Sequence, residues 1–282
     1  MDGSRSAGGG GRIVNYAMYR TGCLAPATRE FYRSTLRHLD EYGIPVLVGG
    51  ADALERYTGI ERHTKDFDIF VRRRDVQALL QELAARGYRT ELSFSHWLGK
   101  AFCNEDFIDV IFSSGNGVAQ VDDEWFAYAH RARVLGYPAL LCPPEEIIWS
   151  KSYVMERERF DGADIVHLLR ARGADLDWKR LLRRFGAHWP VLMSHLLLFD
   201  FVYPSERRQI PQWVRESLGQ RMMERPSSDT ARTEAICYGT LLSREQYLID
   251  IERWGYQDGR AHEGTMSPKE VAAWTAAIEP RC

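Results

Sequence analysis

"VGGADALERYTGIERHTKDFDIFV", residues 48–71, decides how this chain is read. Two glycines, Gly49 and Gly50, close a short apolar run. Sixteen residues after the second come Asp66 and Asp68, followed at once by Ile69, Phe70 and Val71. In a strand, side chains two residues apart share a face. The two carboxylates therefore project side by side at the leading edge of a buried strand. Left unpaired, they repel each other and raise each other's pKa. A divalent cation relieves that repulsion, and magnesium favours a few carboxylates completed by water and phosphate oxygens.

A third acid lies in "FIDVIF", residues 107–112, where Asp109 is flanked by Phe107, Ile108, Val110 and Ile111. An acid in an otherwise apolar strand requires a partner, a metal or a cleft. If this strand lies beside the first, three carboxylates converge on one spot. The glycines sit between a strand and a helix. Without side chains there, backbone N–H groups can approach an anion, and the helix N-terminus favours negative charge. A phosphate cradle beside a carboxylate-bound metal is what phosphoryl or nucleotidyl transfer needs. Two metal ions can clamp the attacking and leaving oxygens of an in-line displacement.

Outward from this stretch, alternation and helical spacing organise the chain. "ATREFYRSTLRHLDEYG" from residue 27 reads as a helix ending at Gly43, "IPVLVGG" as a buried strand, and "ADALERYTG" as a short helix. "DFDIFV" is a strand and "RDVQALLQELAARG" an amphipathic helix. "YRTELSF", "HWLGKAFC" and "FIDVIFSS" are three further strands. "DDEWFAYAHRA" reads as helical and "YPALLC" as an apolar run. From Pro143-Pro144 onward, "EEIIWSKSYVMERERF", "DGADIVHLLRARG", "DWKRLLRRFG" and "HWPVLMSHLLLFDFV" all read as helix. The expected fold is α+β: a small mixed sheet flanked by helices, then a C-terminal helical domain. The expected divisions are a flexible tail over 1–12, an α/β domain over 13–142 and a helical domain over 143–282. Its last part, 205–282, is read only as loops and helical segments.

With 282 residues, 45% of them hydrophobic and 27% charged, the chain has the profile of a globular protein with a substantial core. The formal net charge of −2 excludes a global electrostatic footprint for nucleic acid, though not a local basic patch. Lysine occurs only at 65, 100, 151, 179 and 269, so the basic residues are overwhelmingly arginine. Cys23, Cys103, Cys142, Cys237 and Cys282 are scattered and lack CxxC spacing. That argues against a zinc site or disulfide scaffold and for a reducing, cytoplasmic setting. The start lacks the apolar core of a signal peptide, and "VLMSHLLLFDFV" is too short to span a bilayer, so no membrane is expected.

The glycine pair, the Asp66-x-Asp68 strand and the isolated Asp109 resemble the nucleotidyltransferase superfamily that includes DNA polymerase beta. The likeness is closer to its small bacterial members: lincosamide and aminoglycoside nucleotidyltransferases and the AbiEii-type toxin enzymes. Residues 49–69 match their GG…R-x-T-x-D-x-D segment. The stretch from "DDEWFAYAHRA" to "DGADIVHLL" resembles their apolar strand leading to a proline-started helix that bears a lysine. The likeness covers residues 44–170 or so and gives no help beyond about 200. It implies that Gly49 and Gly50 hold the triphosphate and that Asp66 and Asp68 bind Mg²⁺ or Mn²⁺. Asp109 would bind a second metal or act as base. Lys151 would contact the nucleotide's phosphates, which Arg62, Thr64 and Lys65 could also approach. The implied reaction transfers NMP from an NTP to a hydroxyl, of a small molecule, a tRNA 3′ end or a protein side chain, and releases pyrophosphate. The resemblance implies no further cofactor and does not fix the oligomeric state.

Each residue also has a plainer reading. Acids often end strands, a helix lysine is often just solvated, and a surface Lys65 beside acids is expected to form only a weak ion pair. Asp161 is a good N-cap, whereas Asp164 is open to either reading. His63 and His167 are better read as solvated or core histidines than as bases. "ERERF" and "KRLLRRF" read as solvated helix faces, and the tryptophans as mostly core. Two other functional classes compete: a DxD glycosyltransferase, and an inactive nucleotide-binding or toxin–antitoxin regulator. Only some 65 residues precede the DxD, too few for a nucleotide-sugar domain, and all three carboxylates are retained.

Overall fold

The computed structural model describes residues 24–61, 66–224 and 235–278. Arg62, His63, Thr64, Lys65, Cys23, Cys282 and the tail over 1–12 lie outside the described residues.

The α/β half runs α1 (Pro26–Glu41), β1 (Leu47–Val48), α2 (Gly50–Thr58), β2 (Asp66–Phe70), α3 (Val76–Ala85), β3 (Arg89–Phe94), β4 (Leu98–Cys103) and β5 (Asp106–Ile111). It continues with α4 (Asp123–Ala127), β6 (His130–Val134) and β7 (Tyr137–Leu141). Then come α5 (Pro144–Lys151), α6 (Gly162–Arg172), α7 (Trp178–Phe185), α8 (Trp189–Val202) and α9 (Gln212–Met223). The remainder comprises β8 (Ile236–Cys237), α10 (Leu248–Glu252), β9 (Gln257–Asp258), α11 (Gly259–His262) and α12 (Pro268–Ala276). The architecture is the α+β one expected, with helices following a mixed sheet.

Seven strands form one sheet in the order β3-β4-β5-β2-β1-β7-β6, with β2 parallel to β5 and β1 parallel to β7. Its two faces follow from the register. Phe67 and Ile108 pair in register, as do Ile108 and Ala101, and all three are fully or almost fully buried. On this face Tyr32 of α1 stacks on Phe67 with ring centroids 4.8 Å apart. Leu80 of α3 lies close against Gly99, so a Cβ there would press on it at 3.2 Å. Asp66, Asp68, Lys100 and Asp109 have the opposite parity and lie on the other face. At one end of that face, Trp125 of α4 stacks on Phe70 at 5.4 Å.

Four local expectations require correction. The helix read over "DDEWFAYAHRA" ends at Ala127, and His130–Val134 is an edge strand hairpinned to β7. Asp122 caps the start of that helix by accepting from the Glu124 and Trp125 N–H groups. The single helix read over "EEIIWSKSYVMERERF" ends at Lys151, and Met155 and Phe160 form an isolated antiparallel bridge. "KRLLRRF" is not a uniformly solvated face. Arg180 is 3% exposed and bonds both Glu145 and Glu146, while Arg184 bridges Glu146 and Asp122. Residues 205–278 also include a parallel two-stranded ribbon, β8–β9.

The chain's end folds back on the sheet half. Asn116 Nδ2 donates to the Leu241 carbonyl at 2.8 Å. The Trp274 ring of α12 packs edge-on against Phe94 and Trp97. Within the 25-residue stretch Trp178–Val202, an 18-residue window reaches a mean hydropathy of 1.2. The stretch is nevertheless two helices, broken at Gly186 with φ +49°, whose Leu181, Phe185, Leu192, Leu196 and Phe199 lie in the core.

Candidate active site

The parallel pairing of β2 with β5 sets Asp68 directly beside Asp109, with Asp66 two residues earlier on the same face. One carboxylate oxygen from each of the three lies within 4.8 Å of the others. Burial pushes the Asp68 carboxyl up to about 7, and the Asp66 and Asp109 charges push in the same direction. Lys151 and Arg159 partly offset them. Burial also holds Asp109 above the usual carboxylate range, opposed mainly by Lys100, whose Nζ donates to Asp109 Oδ1 at 2.6 Å. A cluster whose central acid resists ionisation at neutral pH is short of positive charge, and the oxygen-only donor set suits a hard divalent cation.

Gly49 and Gly50 bring the first turn of α2 against these acids. The Gly49 N–H is occupied, donating to the Asp68 carbonyl at 3.0 Å. Of the glycine pair, Gly50 is the one at the start of the helix, where the first N–H groups lack intrahelical partners. Gly50 has φ +52°, and a Cβ there would lie 2.0 Å from Asp68 Oδ2. The glycine thus makes room for the acid. Gly50→Ala should destabilise the fold by about 1–2 kcal/mol, the usual penalty of a left-handed non-glycine residue, and should displace the Asp68 carboxylate. Chemical denaturation together with a metal-binding titration checks this; parent-like values in both would remove the need for glycine.

Lys151, at the last residue of α5, is held by Asp161 at 2.6 Å and Asp164 at 2.9 Å. Asp161 is therefore an anchor for cations and makes no N-cap hydrogen bond with its side chain. Asp164 is settled as the second anchor. Arg159 bonds Asp161 through Nε at 3.3 Å and Nη2 at 3.4 Å. Its charge acts on Asp66, Asp68 and Asp109 although its side chain is 69% exposed. Sequence reasoning passed over Arg159 as one charge in "ERERF". Its placement comes from a loop tied down at a distance: the Met155 N–H donates to the Leu242 carbonyl at 3.1 Å, and Ser243 donates to Glu156. Lys100 was passed over too, since nothing but register sets it opposite Asp109.

The structure thus brings together Asp66, Asp68, Asp109, Gly50 and the anchored Lys151. His167 on α6 lines a small cleft with Leu54, Thr58, Ile60 and Asp164. Cys103, Cys142 and Cys237 are free thiols.

No protein-family model matches this chain, and no curated protein matches it. Several solved structures do. The antibiotic-resistance factor ANT(2″)-Ia, in its solution structure, shares 18% identity at a TM-score of 0.45, over 61% of this chain and 98% of that one. The lincosamide antibiotic adenylyltransferase LnuA, lincomycin-bound, shares 16% at 0.36, over 50% and 94%. An antigenic nucleotidyltransferase-like protein from Paracoccidioides brasiliensis shares 16% at 0.35, over 61% and 93%. The first two of these neighbours are nucleotidyltransferases and the third is nucleotidyltransferase-like. They are of the superfamily that the glycine pair and the three acids resemble.

Proposed function

We propose that this chain is a metal-dependent nucleotidyltransferase that moves NMP from an NTP to a hydroxyl acceptor and releases pyrophosphate. The observation that carries this reading is the convergence of Asp66, Asp68 and Asp109 to within 4.8 Å beside the start of α2. Asp66 and Asp68 would hold a divalent ion, Mg²⁺ or Mn²⁺, which when bound neutralises phosphate charge. Lys151, fixed by Asp161 and Asp164, and the exposed Arg159 would take the outer phosphates, whose charge they match. The Gly50 end of α2 would face the same anion.

In the reaction, the acceptor oxygen bonds to the α-phosphorus, the bond from that phosphorus to the bridging oxygen breaks, and pyrophosphate leaves. The acceptor proton passes to Asp109, whose carboxyl burial makes more basic than an exposed aspartate. The inactive-regulator alternative gives three adjoining half-buried acids no task. The acceptor belongs to the hydroxyl-bearing classes named above, and nothing in the site favours one of them.

Incubation with each α-labelled NTP, Mg²⁺ and fractionated cell extract tests the reading. Label should pass to one fraction, need the metal, and be lost in Asp68→Asn. Metal-independent transfer, or no transfer from any NTP, would overturn it.

A further inference from the structure

Three neighbouring strands place one charged residue each in a single row across the sheet: Lys100 on β4, Asp109 on β5 and Asp68 on β2. Lys100 is directly opposite Asp109 in the antiparallel register, so its position is set by the backbone. Its ammonium is 2.6 Å from Asp109 Oδ1 and 4.3 Å from the centre of the Phe107 ring. Only 24% of its side chain is exposed, and 14% of that of Asp109. A loose surface lysine adds little to such a pair; this one is confined over an aromatic ring beside its partner.

We propose that Lys100 serves as the second cation of the site, so that Asp66, Asp68 and Asp109 take up one divalent ion per chain rather than two. The inference rests on the metal-dependent reading above. Lys100 already supplies Asp109 with its cation, so one divalent ion is left to serve Asp66 and Asp68. An ion bound at Asp109 Oδ1 would also stand about 2.1 Å from that oxygen, which Lys100 already holds at 2.6 Å. Lys100 acts through Asp109 and is a positioning residue: it keeps that carboxylate turned along the row.

The test counts Mn²⁺ in the protein-bound fraction by electron paramagnetic resonance, with the α,β-methylene analogues of ATP, GTP, CTP and UTP supplied in separate runs. The parent should hold one ion per chain, Lys100→Met two, and Lys100→Arg one. Lys100→Gln runs in parallel and should also hold two, so a misfolded Met variant does not remove the comparison. Two ions in the parent, or one in a folded neutral variant, would overturn the proposal and leave the transferase reading standing. No bound Mn²⁺ in the parent with any analogue would overturn the metal reading and this inference together.

Discussion

Asp109→Asn should lower nucleotidyl transfer by about a hundredfold or more, the contribution of a positioned acid–base group, while nucleotide affinity changes far less. The amide has nearly the shape of the acid, so β5 keeps its register with β2 and with β4. What it lacks is the basicity that burial gives the carboxylate, and the charge that pairs with Lys100. Both matter more once the acceptor proton begins to move than when the nucleotide first binds. Steady-state transfer rates beside equilibrium binding of a non-cleavable NTP analogue separate the two effects. Equal rates in the variant and the parent would refute a chemical role for Asp109. Equal losses in rate and affinity would make it a binding group.

Arg180→Ala should cost the fold about 3–5 kcal/mol, the penalty for stranding buried charge, and lower the melting temperature by on the order of 10 °C. Glu146 is fully buried, and Arg180 Nη1 donates to both its oxygens at 2.6 Å. Glu145, 4% exposed, receives Arg180 Nη2 at 2.6 Å and the Asp177 N–H at 2.7 Å. Burial already holds Glu146 above the usual carboxylate range with Arg180 present, so its loss raises that pKa further. A raised folded pKa contributes stability below the unfolded value and loses it as pH rises. The deficit should therefore narrow as pH falls from about 7.5 to about 5. Denaturation curves at the two ends of that range measure it. A deficit below about 1 kcal/mol, or one unchanged by pH, would show that the glutamates find other partners. Because α5 ends on Lys151, transfer should fall along with stability.

The chemistry-bearing acids were legible because each breaks a local rule. Asp66 and Asp68 head an apolar strand, and Asp109 interrupts one. Periodicity likewise exposed α1, α3 and the strands β2 to β5; buried residues alternate in β2 and β5, whereas β3 buries none. Pairing was not legible, since nothing within β2 or β5 states that these strands are parallel neighbours, and Lys100 gains meaning only from that register. The β6 edge strand was hidden by Arg131 and Arg133, charges that suit an edge exposed to solvent but obscure a strand in the sequence. Arg180 was misread because a charge in a helical run looks solvated until its partner is known, whereas Arg159 is solvated as read and only its place near the acids was missed. For Arg180 a signal existed, in the adjacent Glu145 and Glu146 at the head of an otherwise apolar helix. For Arg159 none did, because the contacts that hold its loop come from residues 242 and 243. The Arg62, Thr64 and Lys65 expectations concern positions outside the described residues.

The row from Lys100 through Asp109 to Asp68 depends on counting as much as on identity. Side chains alternate faces with a period of two, so one residue inserted or lost within β5 would send Asp109 into the core that Ile108 and Val110 now fill. In descent, such a chain can exchange many residues for others of similar size, yet its strands have almost no freedom to change length near the acids. Length variation should accordingly collect in the connections, and a library built only from substitutions would leave the site's strictest constraint unsampled.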